Sequence, residues 1–141
     1  HKEEPMVSVF LHPTQKHLFW NRCLSNGALL MFNGKYESAR AEFDRAIAIA
    51  PEGATAYMLA AQASAYSQDV TSAISYMTKF LSITNADGVP ESERVRYQAI
   101  GRVNNAIGTA QHRKEFIAAL SKSFPNELVL QRFQQAKTGV K

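Results

Sequence analysis

Apolar residues in this chain recur with the stride of a helix. Tyr36, Ala39, Phe43, Ala46 and Ile47 lie at the i, i+3, i+4 and i+7 spacings that stack side chains on one helical face. Pro51 closes that helix, because it has no N–H to donate to the preceding turn. The helix before it starts near Thr14, after Pro13, and runs to about Phe32. Asn33-Gly34 breaks it, since both residues tolerate the left-handed conformation in which helices end.

The same pair of helices recurs along the chain. Laying residues 20–53 over residues 54–87, an offset of 34, brings Cys23 onto Tyr57, Gly27 onto Ala61, Ala39 onto Ala73, Phe43 onto Met77 and Ala46 onto Phe80. Residues 94–127 form a third copy after an insertion over 88–93, with Tyr97, Gly101, Gly108, Ile117, Leu120 and Pro125 in register. The breaks between helices are Ser67-Gln68-Asp69 in the second copy and Gly108-Thr109 in the third. Gly27, Ala61 and Gly101 have a common reading: two antiparallel helices approach closely only where one presents almost no side chain. Ala39 and Ala73 are the matching small residues on the second helices. Arg113 stands at that place in the third copy, which predicts a splayed last hairpin. Self-similarity at this period marks proteins built by stacking one supersecondary unit.

This set of residues resembles the tetratricopeptide repeat family. The first copy matches best, through Gly27, Gly34, Tyr36, Ala39, Phe43, Ala46 and Pro51. The second keeps Tyr57, Ala61 and Ala73 but has Gln68 and Val70 in place of the Gly and Tyr; the third keeps Tyr97, Gly101, Gly108 and Pro125. The resemblance spans residues 20–127. It implies an all-α fold, a right-handed superhelical solenoid of antiparallel helix pairs, with a concave groove lined by the first helix of each pair.

The resemblance also implies which residues face that groove and bind a partner. Copy one offers Leu24, Ala28, Met31 and Phe32 with Asn21 at the lip; copy two offers Met58, Gln62, Ala65 and Tyr66 with Thr55 at the lip. Copy three offers Gln98, Arg102, Asn105 and Ala106 with Val95. Such a groove is apolar and Met-containing at one end, where it can adapt to apolar partners. At the other end it is polar and cationic, and Arg102 and Asn105 can hold a carboxylate or backbone carbonyls. Family members that clamp the carboxylate tails of heat-shock chaperones carry Lys, Asn or Arg where this chain has Leu24, Ala28, Leu59, Val95 and Ala99, so that subtype is not expected.

The ends read as caps. Asn126 followed by Glu127 predicts a helix start after Pro125, and a capping helix over about 126–138. Leu130, Phe133 and Ala136, with Leu128 or Val129, would cover the last hairpin, while Gln131, Arg132, Gln134, Gln135 and Lys137 face water. Pro90 with Glu91 and Glu93 predicts a longer than usual first helix in copy three. Residues 14–141 thus form one domain, preceded by an arm or tether over 1–13. The apolar run Met6 to Leu11 suits a tether, a packing arm or an occupant of another copy's groove, with packing or self-association favoured.

Composition narrows the function. With 141 residues, 45% of them hydrophobic, the chain supports one sizeable core and no second domain of ordinary size. No apolar run approaches a membrane span. No signal peptide is visible and there is one Cys, which together favour the cytoplasm. Net charge is −1 over residues 1–70 and +5 over residues 71–141, so the second half can attract acidic partners.

Chemistry-bearing patterns are absent. His12 and His17 are five apart across Pro13 and do not share the helical face of a zinc pair, so no metal is expected. No G-x-S-x-G elbow or P-loop spacing occurs, and no cofactor or small-molecule substrate is expected. Cys23 falls where the other copies have tyrosines and reads as a packing thiol. The expectation is a non-enzymatic protein–protein interaction module, an adaptor, scaffold or chaperone-like binder of a partner peptide or helix. The alternatives are a nucleic-acid-binding repeat using the basic half and a module that assembles with itself. RNA-reading repeats place polar residues at the positions held here by Leu24, Met31 and Met58, which argues against nucleic acid.

Overall fold

A computed structural model describes residues 13–85 and 90–139, so the arm over 1–12 and part of the insertion lie outside the described residues. The helices are α1 (Pro13–Phe32), α2 (Tyr36–Ile49), α3 (Ala54–Tyr66), α4 (Val70–Thr84), α5 (Pro90–Ala106), α6 (Ala110–Ser123) and α7 (Leu128–Gly139). Among the described residues there is no strand, and no helix is long and apolar enough to cross a membrane. At 17 residues, α5 exceeds the 13 of α3. Each helix packs extensively only against the next one or the next but one, as expected of elements stacked in a row.

The first two breaks share one turn. After α1, Lys35 N–H bonds Leu30 C=O at 2.9 Å and Gly34 N–H bonds Met31 C=O at 3.0 Å, with Gly34 at φ +80°. After α3, Asp69 N–H bonds Ser64 C=O at 2.8 Å and Gln68 N–H bonds Ala65 C=O at 3.0 Å, with Gln68 at φ +65°. Both are Schellman endings. A side chain in this conformation costs roughly 1–2 kcal/mol. Gln68 offsets that cost by donating to Tyr66 C=O at 3.2 Å and accepting from Gly108 N–H, in the next turn, at 2.9 Å.

Close packing of the first hairpin depends on Gly27. A Cβ there would lie 2.8 Å from two ring carbons of Phe43, which is fully buried among Ala39, Ala60 and Ala63. Cys23 is buried beside Ala46 and Ala56. The second hairpin packs Ala61 against Ala73 and Met77 in the main core, which runs on through Ile100, Val103, Phe116 and Leu120 to Val129 and Leu130.

The third copy departs from this arrangement. α5 and α6 meet far less extensively than the first two pairs, the splay that Arg113 predicts. Gly101, expected at a close helix crossing, is not at one: a Cβ there would meet only the Phe133 ring, at 3.8 Å. Arg113 instead donates to Ile107 C=O at 2.8 Å and so satisfies an unpaired carbonyl beyond the end of α5. With α6 held off, α5 buries the stripe Arg96, Ala99, Ile100, Val103 and Ala106 and leaves Tyr97 exposed.

Two polar networks tie the helices. On α2, Arg40 donates to Asp69 at 2.9 Å and Ser72 at 2.8 Å, and stacks on Tyr76, whose hydroxyl donates to Asp44 at 2.6 Å. Ser72, by side chain and backbone N–H, and then Arg40, holds the Asp69 carboxyl below the usual carboxylate range. Burial, then the bond to Asp44, pushes the Tyr76 hydroxyl up. The second network is more deeply buried. Arg96 donates to both Glu127 oxygens at 2.8 and 3.2 Å, to Ser92 at 2.6 Å and to Thr84 C=O at 3.2 Å. It joins the end of α4, α5 and the start of α7. Asn126 is not the first residue before α7: the helix begins at Leu128, and the Glu127 carboxylate accepts from Val129 N–H at 3.3 Å. Val129 and Leu130 cover the last hairpin while Leu128, Gln131, Arg132 and Gln134 are exposed.

Candidate functional site

The first helix of each pair contributes to one succession, α1 on α3, α3 on α5 and α5 on α7, so their outward faces adjoin. The residues expected to face a partner differ in their surroundings. Leu24, Met31 and Met58 are half-buried: Leu24 and Met31 pack against the Ala39–Phe43 cluster, and Met58 against the main core. Gln62 is also half-buried, and Tyr66 stacks on Tyr36 with ring centroids 5.2 Å apart. Ala65 and Ala106 are buried in the core. Ala28 and Phe32 are exposed, Phe32 to 90%.

Gln98, Arg102 and Asn105 form a further group, and the structure brings them together. They line an open cavity of about 490 Å³ with Tyr97, Gly101 and Phe133. On a 3.6-residue helix, positions 98, 101, 102 and 105 share one face, so α5 alone supplies most of the wall. α7 supplies the rest through Phe133, which stacks on Tyr97 at 5.0 Å. Arg132 lies 5.5 Å over the Tyr97 ring and pairs with Glu93, which fixes that corner.

The electrostatics of the wall are one-sided. None of the lining residues is a carboxylate, and α3, its neighbour, has no charged side chain. Among the described residues, Arg102 has no ion-pair partner, and it is an exposed residue whose guanidinium carries five N–H donors. Gln98 and Asn105 each add a carboxamide that both donates and accepts. Such a wall can hold an anionic group beside a peptide-like backbone.

Tyr97, Gly101 and Phe133 were assigned by sequence to packing rather than to this wall. The available signal was Arg113: a large charged residue at the small-residue position keeps α6 away and leaves the Tyr97–Gly101 side of α5 uncovered. Comparison of the chain with protein-family models, curated proteins and solved structures finds no match.

Proposed function

We propose that this chain is a non-enzymatic protein-interaction module of the tetratricopeptide kind, whose first helices curve into a groove that takes a peptide or helix from a partner protein. The observation that carries this reading is the meeting of Gln98, Arg102 and Asn105 on one open cavity, at three positions that the family resemblance assigns to the inward face. Burying two or three partner side chains yields about 1.5–3 kcal/mol each before ordering costs, which makes micromolar affinity reasonable. Since Met31 and Met58 also pack against the cores, charge at those sites would perturb folding as well as binding. Exposed positions make the better probe. A photo-crosslinking benzoylphenylalanine at Ala28 or Thr55 should capture a partner from a cell lysate, whereas the same group at Lys79 or Lys114 on the second helices should not. Equal capture from both sides would refute the groove.

A second reading, self-assembly, rests on one specific feature. Leu18, Leu29 and Phe32 share a stripe of α1 and are 60%, 62% and 90% exposed. Sedimentation velocity showing a concentration-independent monomer would remove it.

A further inference from the structure

The α5–α7 cavity carries a more specific assignment, which rests on the peptide-binding reading above. We infer that it is the subsite for an acidic side chain of an extended peptide: Arg102 pairs with the carboxylate, and Gln98 and Asn105 bond the adjoining peptide groups. Charge complementarity names the ligand. Arg102 has no ion-pair partner among the described residues, none of the six lining residues is acidic, and α3 beside it is uncharged, so an incoming carboxylate meets no competing one. Glu93, the acid nearest in sequence with a described side chain, is already taken by Arg132.

The arrangement of donors distinguishes a peptide from nucleic acid, the other anionic polymer that a basic face attracts. Single-stranded nucleic acid binds by stacking bases on aromatic rings and by a run of phosphate contacts. Here Tyr97 is engaged by Phe133 at 5.0 Å and by Arg132 at 5.5 Å, and Tyr66 by Tyr36 at 5.2 Å. One unpaired guanidinium flanked by two carboxamides, at i−4 and i+3 on one helix, matches a single carboxylate between peptide bonds.

The test uses end-blocked short peptide pools in which each position in turn is fixed as Asp, Glu, Asn or Gln, read by binding to the immobilised full chain. The wild type should prefer an acid at one position by about tenfold, with the preference shrinking as salt rises. Arg102→Gln should abolish that preference and retain the helical circular dichroism spectrum. Peptide binding without acid preference overturns the subsite and leaves the groove standing, as does a preference that survives Arg102→Gln. No peptide binding, or binding only to a single-stranded RNA oligomer, overturns both.

Discussion

Gly27 and Gly101 occupy the same place in two copies of the repeat, yet the structure gives opposite expectations for the same substitution. Alanine in a helix interior is favoured over glycine by about 0.8–1 kcal/mol. At Gly101 the new methyl would sit 3.8 Å from the Phe133 ring, an ordinary contact, so the propensity gain stands. At Gly27 it would lie 2.8 Å from two Phe43 carbons, and that ring is fully buried between small residues of α2 and α3. Overpacking of this kind costs about 1–3 kcal/mol, which outweighs the propensity. Gly27→Ala is therefore expected to lose up to about 2 kcal/mol and Gly101→Ala to gain about 0.5–1 kcal/mol. Urea unfolding by ellipticity at 222 nm measures both, and the single tryptophan, Trp20 on α1, reports the first hairpin separately. Phe43→Leu should recover part of the Gly27→Ala loss, giving a non-zero coupling in the double-mutant cycle. A stable Gly27→Ala would refute the tight crossing. A destabilised Gly101→Ala would mean that the third hairpin closes as the first one does.

The remaining predictions concern the polar networks. Arg96→Met leaves the buried Glu127 carboxylate unpaired and should cost about 3 kcal/mol in urea unfolding, whereas adding Glu127→Leu should restore most of it; a double variant no better than the single one would show that the pair is not the source of the loss. Asp69 has a lowered pKa, so its contribution is complete above the ordinary carboxylate value and is lost as pH falls through the folded-state value. Asp69→Asn, still an N-cap, should cost only about 0.5 kcal/mol at neutral pH because the ion pair is partly exposed. It should also flatten the acid limb of stability against pH; an unchanged acid limb would place the titration elsewhere.

Much of the fold was legible because it is local. Helical periodicity, the Asn33-Gly34 break and the small residues at Gly27 and Ala61 each express a short-range rule. Even the exception at Gln68 fell on the expected turn, because a Schellman ending constrains backbone geometry more strongly than it constrains residue type. Arg113 also announced the splay of the third hairpin. The Arg96–Glu127 pair was not legible: its members are 31 residues apart, follow no periodic pattern, and pair only because α7 begins where α4 ends.

For the candidate site the division is similar. Residue spacing alone puts Gln98, Arg102 and Asn105 on one side of α5, since 3.6 residues complete a turn whatever surrounds the helix. Packing settles which neighbours join them. Helix spacing sets how far a face is uncovered, and that depends on side chains meeting across distant parts of the chain. The bulk of Arg113 and the reach of α7 expose Tyr97 and bring Phe133 beside it, while the cores of the first two copies draw in Leu24, Met31 and Met58.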